Sequence, residues 1–222
     1  KESKNSILPK VHNIEFNQWV KQNIINHKVK GYSVVMVSLK PPGKPPGDMN
    51  ANQMNELSQL SYDFSFGEIR VTHEQNILLP HVKNEKIYDL WQKLKKIGLS
   101  TPNIGLISDI ICCPGMDYCA LATARSIPIS QKISNLFKNY EQQKNIGGLK
   151  IKISGCINAC GHHHVGNIGI LGLDKNGEES YQVTLGGSAT ENARIGEIVG
   201  PSFPENKLMK ALKIILKTYE KN

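Results

Sequence analysis

Hydrophobic positions in the amino-terminal part of the chain follow a helical period and then a strand period. Four apolar residues lie near helical spacing: Ile14, Trp19, Val20 and Ile24. Residues 31–40 form a short stretch rich in β-branched residues. The pattern therefore predicts an amphipathic helix followed by a buried strand.

The same reasoning predicts five further segments before residue 99. They are a loop, a helix, two strands and a third helix, over residues 41–48, 50–60, 66–72, 75–82 and 84–98. Pro80 predicts that its strand lies near a sheet edge or that the strand ends there, because proline cannot donate a ladder hydrogen bond. Asn84 is the predicted N-cap of the third helix, and Gly98 lies just past its end. The order of strand, helix, strand, strand and helix is typical of a ferredoxin-like split βαβ unit.

A second unit is predicted from about residue 104 onward. Its segments are a strand over 104–111, a largely helical stretch over 117–140 that Pro128 breaks or kinks, a strand over 149–154, a hairpin over 165–187, a strand over 193–200 and a helix starting at Ser202 and Pro204. Asn176-Gly177 marks the turn of the hairpin. We expect an α+β fold with a ferredoxin-like half-domain at 1–98 and an α/β domain at 99–222.

Charge and hydropathy narrow the class of protein. The chain carries 27 Lys and Arg against 19 Asp and Glu, a net charge of +8, but the lysines are dispersed. This dispersion favours a solvated surface over a nucleic-acid partner.

No apolar run approaches the roughly 18 residues that a membrane span needs. The first residues lack the apolar region of a signal peptide, so we expect a cytoplasmic protein. The missing initial methionine is compatible with a piece of a longer protein.

The five cysteines fall into two short segments. Three lie within residues 112–119 and two within 156–160. An odd count without an export signal argues against a disulfide framework and favours metal binding. Zinc prefers tighter knuckles than the C-x5-C and C-x3-C spacings found here, whereas a [4Fe–4S] cluster takes four thiolates at separate corners. Zinc, and buried cysteines without a metal, remain alternatives at this point.

Three sequence motifs together resemble a known family. CCPGMDYCALA, followed by SGCINACGHHHVGNIGILG, resembles the C-x5-C…C-x3-C signature of the sulfite/nitrite reductase haemoproteins. The upstream GEIRVTHEQNILLPHV is similar to the R-x-T-x-x-Q segment of that family, which lies against the macrocycle. The resemblance implies two cofactors, a [4Fe–4S] cluster and a sirohaem.

The resemblance also implies roles for individual residues. The implied cluster ligands are Cys113, Cys119, Cys156 and Cys160. The last of them, Cys160, would also ligate the sirohaem iron, while Cys112 would be the spare thiol. Arg70 would face a sirohaem carboxylate or the substrate oxyanion, whereas the spacing alone fits a solvated strand arginine equally well.

The resemblance also implies roles for other polar residues near these motifs. Gln75 and Asn76 would either hydrogen-bond the macrocycle or make a turn, and Asn158 would order the second cysteine loop. One or two of His162, His163 and His164 would hydrogen-bond sirohaem carboxylates. Lys150 and Lys152, on the strand before that loop, are predicted to be solvated.

The resemblance implies a reductase, of which this chain matches only the carboxy-terminal half. The expected reaction is the six-electron reduction of sulfite or nitrite, with the rest of the pocket supplied by the missing amino-terminal half. Because no G-x-G-x-x-G fingerprint is present, electrons are expected from a ferredoxin or a flavoprotein. Two alternatives stay open: an electron-transfer module that holds only the cluster, and a zinc-stabilised binding protein.

Overall fold

A computed structural model describes Pro9 and residues 11–220. The chain divides into two compact units. The first contains the described residues up to Pro41 together with Gly47–Ile104, and the second contains Pro42–Pro46 and the residues from Gly105 onward. Among the described residues, no helix is both long enough and apolar enough to cross a membrane. The domain limits predicted at residues 98 and 99 stay a prediction.

The first unit is an antiparallel sheet with three helices. Its elements are α1 (Ile14–Asn23), β1 (Ile24–Asn26), β2 (Tyr32–Val37), α2 (Ala51–Phe64), β3 (Arg70–Val71), β4 (Ile77–Lys83) and α3 (Ile87–Lys96). The strand order is β1-β2-β4-β3, and every neighbouring pair is antiparallel. The core side chains come from all three helices and from β2 and β4, and they include Phe16, Trp19, Val35, Leu57, Leu79, Leu90 and Trp91. The predicted ferredoxin-like fold is confirmed.

Three local predictions for this unit were wrong. The first helix ends at Asn23, because Ile24 pairs with Val35 across β1 and β2. Asn84 does not cap α3, because its Oδ1 accepts a hydrogen bond from Ser33 Oγ at 2.8 Å and Asn84 is itself the first residue of a 3-10 turn that precedes the helix. Pro80 lies inside β4, which is an inner strand.

The position of Pro80 has a simple explanation. Strand β3 pairs with β4 only at Ile77 and Leu78, so Pro80 lies past the end of that ladder. On the other side, β2 has a register shift between Ser33 and Val35. The missing N–H of proline therefore falls where the regular pairing is interrupted.

The second unit is a mixed five-stranded sheet with helices. Its elements are β5 (Ile111–Cys112), α4 (Ile127–Ser134), α5 (Tyr140–Ile146), β6 (Ile151–Ser154), β7 (Ile168–Lys175), β8 (Glu178–Leu185), β9 (Glu197–Ile198) and α6 (Glu205–Tyr219). The strand order is β5-β6-β7-β8-β9. The first two pairings are parallel and the last two antiparallel. Buried isoleucines from the strands and α4 pack with Leu208, Leu212 and Leu216 of α6.

The predicted hairpin and closing helix are confirmed. Strands β7 and β8 are joined by Asn176 and Gly177, whose φ angles of 56° and 85° are those of a two-residue type I′ turn. Helix α6 begins at Glu205, directly after Pro204.

Other predictions for the second unit were wrong in extent or in burial. The strand predicted over 104–111 is reduced to β5, and the one predicted over 193–200 is reduced to β9. The stretch 117–140 is not largely helical, since Pro128 lies in the first turn of α4 instead of breaking a longer helix. Lys152 is buried, and Lys150 pairs with Asp109 at 3.3 Å, so neither lysine is simply solvated.

Candidate functional site

The two cysteine loops lie at the same edge of the second sheet. Strands β5 and β6 are parallel neighbours, and Cys112 is in register with Ile153. The first loop leaves β5 at Cys113, whose N–H donates to Ile153 O at 3.1 Å. The second loop leaves β6 at Ser154. Because the carboxyl ends of parallel strands meet at one edge, the fold brings the two loops together.

A four-residue segment, Thr123–Ser126, joins the loops, and we call it the strap. The N–H groups of Thr123 and Ala124 both donate to Gly155 O, at 2.9 and 3.0 Å. Met116 N–H, inside the first loop, donates to Ala124 O at 3.2 Å. The strap therefore connects the first loop to the second through backbone hydrogen bonds that do not depend on side-chain identity.

Two glycines allow this close approach. A Cβ at Gly155 would lie 2.7 Å from Ala124 O and 2.9 Å from Gly115 Cα. A Cβ at Gly115 would lie 2.3 Å from Ser126 Oγ, and this glycine has a φ of 60°. Only residues without a Cβ let the loops and the strap meet at these distances.

The four predicted ligand cysteines lie on these two loops. Cys113 and Cys156 are buried, Cys119 is half-buried and Cys160 is exposed. The spare thiol, Cys112, lies in β5 and belongs to the hydrophobic core, where its Sγ donates to Cys113 O at 3.2 Å. The neighbouring cysteines are therefore in different environments, one in the core and one in the loop.

The donor set has the chemistry that a [4Fe–4S] cluster requires. Four thiols are spread over two loops, and one of them, Cys113 Sγ, already accepts a hydrogen bond from Gly155 N–H at 3.1 Å. Within the described part of the chain, no three His, Cys, Asp or Glu side chains are arranged around a single metal-ion position. A cluster differs from a single ion in this respect, because each thiolate binds a different iron.

Arg125 holds the strap against the β7–β8 hairpin, a role that sequence reasoning missed. Its backbone N–H and its Nη1 donate to the two carboxylate oxygens of Glu179, at 2.7 and 2.8 Å. Its Nε lies 3.7 Å from Asp117 Oδ1, inside the first cysteine loop. Tyr181 Oη is 2.8 Å from Glu179 and 2.9 Å from Arg125 O. No sequence spacing signals the contact between Arg125 and Glu179, because these two residues are 54 positions apart.

The electrostatics of this contact follow from its hydrogen bonds. Burial favours the neutral form of Glu179, but the hydrogen bonds from the Arg125 backbone and the Tyr181 hydroxyl outweigh it and hold the pKa of Glu179 below its usual value. Burial, and then the Glu179 carboxylate, raise the pKa of Tyr181. The tyrosine therefore stays a neutral donor beside an ionised acceptor.

The second cysteine loop contains two left-handed residues, Ala159 and His162, with φ of 57° and 54°. Its return to the sheet is fixed by Gly161 N–H, which donates to Ser154 Oγ at 3.2 Å. Asn158 is exposed, and its carbonyl oxygen lies 4.0 Å from Cys160 Sγ. The thiol of Cys160 and the side chains of Asn158 and His162 are therefore all exposed.

The three consecutive histidines have different environments. His162 and His164 are exposed, whereas His163 is buried and its ring lies 3.9 Å from that of His164, centroid to centroid. His163 Nδ1 has no hydrogen-bond partner among the described residues. Burial, and then the neighbouring His164, lower the pKa of His163 to about 4. At neutral pH His163 is therefore an uncharged donor or acceptor.

The burial of His163 predicts acid sensitivity. In the unfolded chain His163 is protonated near pH 6.5, and in the folded chain only near pH 4. The stability that comes from burying the neutral imidazole is therefore fully present above pH 6.5 and is lost as the pH falls from 6.5 to about 4. Between about pH 8 and pH 5 we expect His163 to lower the free energy of unfolding by about 2 kcal/mol. Urea titrations of the parent and His163→Gln should diverge by this amount. Parallel pH profiles for the two proteins would contradict the prediction.

Arg70, Gln75 and Asn76 belong to the first unit. Arg70 lies on β3 with 58% of its side chain exposed, and its Nε donates to Glu68 Oε1 at 2.6 Å. The Arg70 guanidinium holds the pKa of the Glu68 carboxyl below its usual value. Asn76 is fully buried and its Oδ1 accepts from Leu39 N–H at 3.1 Å, while Gln75 has a φ of 59° in the turn between β3 and β4. Gln75 therefore lies in the turn, Asn76 accepts from the Leu39 backbone and Arg70 pairs with Glu68, and a cofactor role for the three residues stays a prediction.

Fold and site together define an α+β protein with a ferredoxin-like unit and a four-cysteine unit of the [4Fe–4S] type. Residues 106–222 match the family described as nitrite and sulphite reductase 4Fe-4S domain, and residues 22–97 match the nitrite/sulfite reductase ferredoxin-like half domain. The chain belongs to the nitrite and sulfite reductase family. The resemblance read from the cysteine motifs is therefore confirmed, and the two predicted cofactors are those of this family.

Curated relatives carry names from both branches of the family. The chain is 30% identical over 183 residues to the chloroplastic ferredoxin–nitrite reductase of Spinacia oleracea, covering 78% of this chain and 30% of the relative. It is 27% identical to the ferredoxin–nitrite reductase of Synechococcus elongatus, covering 82% and 36%. It is 25% identical to the NADPH sulfite reductase hemoprotein beta-component of Bacillus subtilis, covering 70% and 27%. The chain thus spans about a third of the length of these relatives.

Solved structures share the fold. The NirA protein of Mycobacterium tuberculosis superposes with a TM-score of 0.74 at 20% identity, over 97% of this chain and 39% of that one. Dissimilatory sulfite reductase I superposes with a TM-score of 0.68 at 10% identity, over 86% and 63%. These likenesses extend over both units of the chain.

Proposed function

We propose that this chain is the cluster-binding and sirohaem-binding portion of a sulfite or nitrite reductase that carries out a six-electron reduction. The observation that carries the proposal is the pair of cysteine loops joined by the strap at the carboxyl ends of β5 and β6. The names of the relatives support this class of reaction, and they include both nitrite and sulfite reductases.

We assign the four cluster thiolates to Cys113, Cys119, Cys156 and Cys160. Cys160 is the proposed bridge to sirohaem because it is the exposed thiol of the four. A thiolate shared by cluster and haem iron would let electrons reach the substrate site without a long transfer. Asn158 and His162, exposed on the same loop, are the proposed donors to the macrocycle, and the neutral His163 can contribute one N–H.

The cofactors supply the electron storage and the substrate-binding iron, and the protein supplies ligation, hydrogen bonds and positive charge. Anionic sulfite or nitrite would be favoured by the net charge of +8. The electrons are proposed to come from a ferredoxin or a flavoprotein, and relatives named ferredoxin–nitrite reductase and NADPH sulfite reductase support an external electron donor. A missing amino-terminal half is the proposed source of the rest of the pocket. The cytoplasmic location stays a prediction, since plant relatives are named chloroplastic.

A visible spectrum and a turnover assay test this proposal. The protein, produced with iron, sulfide and sirohaem available, should show red-region haem absorption on top of the broad absorption of a cluster. With a viologen donor, we expect poor sulfite and nitrite turnover by these 222 residues alone and efficient turnover when the amino-terminal half is present. Broad cluster absorption without haem would favour an electron-transfer module, and a colourless zinc protein would overturn the proposal. Efficient turnover by the chain alone would contradict the need for a second half.

Arg70 is the proposed anion contact of the first unit, because a guanidinium stays charged and presents a planar fork to carboxylates and oxyanions. In the complete reductase, Arg70→Ala should weaken either sirohaem retention or substrate affinity by roughly 10- to 150-fold. Haem content and the apparent affinity for sulfite and nitrite separate the two cases, and Arg70→Lys should rescue substrate affinity better than haem retention.

Glu68→Gln is the matched control for Arg70, since it removes the charge that now pairs with the guanidinium while Arg70 remains. We expect Glu68→Gln to keep both haem content and substrate affinity near the parent values. If Arg70→Ala also leaves both unchanged, Arg70 is an ordinary surface residue and has no place in the site.

A further inference from the structure

The sulfur of Cys113 has two hydrogen-bonding groups close to it. Gly155 N–H donates to Cys113 Sγ at 3.1 Å, and Ser126 Oγ lies 3.5 Å from the same sulfur. Ser126 Oγ also lies 2.7 Å from Cys113 O, to which its hydroxyl donates. One buried hydroxyl therefore has two acceptors on a single cysteine within reach.

Ser126 lies at a position where its side chain would ordinarily cap a helix, so its contact with Cys113 needs an explanation. Ser126 precedes α4 at the N-cap position, where a serine side chain ordinarily accepts from the first turn of the helix. Here the side chain makes no such cap, and it is fully buried against the first cysteine loop instead. Gly115 leaves the necessary space, because a Cβ there would lie 2.3 Å from Ser126 Oγ. The local geometry thus directs the hydroxyl to Cys113 instead of to the helix.

Binding of the cluster to Cys113 decides which acceptor the hydroxyl uses. A neutral thiol sulfur is a weak acceptor, so the carbonyl oxygen takes the single hydroxyl proton. A thiolate bound to a cluster carries negative charge, and hydrogen bonds to charged acceptors are roughly twice as strong as neutral ones. A rotation of the hydroxyl is then sufficient to redirect the proton to the sulfur.

We propose that Ser126 donates a hydrogen bond to the Cys113 thiolate when that thiolate binds the cluster, and that this bond raises the reduction potential of the cluster. Hydrogen bonds to the sulfurs are among the factors that set the potential of an iron–sulfur cluster. A donor stabilises the more negative, reduced cluster more than the oxidised one. The inference rests on the ligand role proposed for Cys113, and it makes Ser126 a positioning residue for electron transfer.

The test compares Ser126→Ala with the parent protein, both loaded with cluster to the same iron content. Ser126→Ala removes one hydroxyl and adds no atoms, and it should shift the midpoint potential of the cluster, followed by EPR in a redox titration, to a more negative value. Ser130→Ala, at a buried serine one turn further along α4, is the matched control and should keep the parental potential. An unchanged potential in loaded Ser126→Ala, or an equal shift in Ser130→Ala, would overturn the proposal.

A second variant covers the case in which Ser126→Ala does not load a cluster. Ser126→Thr keeps the hydroxyl, so it must load and retain the parental potential, and loss of the cluster or a lower potential in Ser126→Thr would count against the proposal. An error in the ligand assignment would be detected by a different variant, Cys113→Ser. If Cys113→Ser still loads a full cluster, the proposed ligand set is wrong, whereas an unchanged potential in loaded Ser126→Ala leaves the ligand set intact.

Discussion

Replacing any one of Cys113, Cys119, Cys156 or Cys160 by serine is expected to abolish cluster loading. A cluster bound by four thiolates has one iron at each corner, and a missing thiolate leaves that corner without its protein ligand. Iron and acid-labile sulfide should fall to near zero in each variant, together with the broad visible absorption. The folded state should survive at Cys119 and Cys160, which are not buried in the core.

Cys112→Ser is the matched control for this series. Cys112 is adjacent to Cys113, but its side chain lies in the hydrophobic core and its Sγ donates to Cys113 O. We expect parental iron and sulfide contents in Cys112→Ser, with a modest loss of stability from the buried hydroxyl. The opposite pattern, in which Cys112→Ser loses the cluster and Cys113→Ser keeps it, would show that the assignment is displaced by one residue.

Gly161→Ala is expected to destabilise the second unit strongly and to prevent cluster loading. A Cβ at Gly161 would lie 1.9 Å from Ile153 O and 3.1 Å from Ser154 Oγ. The carbonyl belongs to β6 and cannot move without disturbing the sheet, so the second cysteine loop must shift away. We expect a loss of about 3 kcal/mol in the free energy of unfolding, at the upper end of ordinary overpacking.

Urea unfolding and iron analysis measure the two effects of Gly161→Ala. Gly148→Ala is the control, because a Cβ there would meet nothing within 4 Å and the residue does not have the positive φ that disfavours alanine. Gly148→Ala should be neutral or slightly stabilising. A Gly161→Ala protein with parental stability and full iron content would show that this close approach does not constrain the loop.

Periodic hydrophobic segments and turn residues were predictable because their signals are local. The amphipathic α3, with Leu90, Trp91 and Leu94 buried, and the Asn176-Gly177 turn were both read from neighbouring residues. Several of the predictions that failed depended on partners distant in the chain. Asn84 has the residue type of an N-cap, but it accepts from Ser33, fifty-one positions away.

The candidate site also has features that the sequence could predict and features that it could not. The five cysteines, their spacings and the adjacent glycines could be read directly, and so could the family that these motifs resemble. The burial of His163 and Lys152 could not, because burial depends on which elements pack over a residue and not on its neighbours in the chain. Each residue extends the chain by at most about 3.6 Å, and this length does not determine which distant residues pack against each other.

The donor chemistry follows from residues that are neighbours in the chain: thiols in two groups, glycines that permit close turns, and strands that lead into each group. The tertiary structure alone decided how the groups meet. Parallel pairing of β5 and β6 brings the two loops to one edge, and the strap closes them through Gly155. Arg125 and Glu179 then fix the strap to a hairpin more than fifty residues later in the chain. The physical reason is that hydrogen bonds between distant segments depend on the packed sheet, which no local pattern specifies.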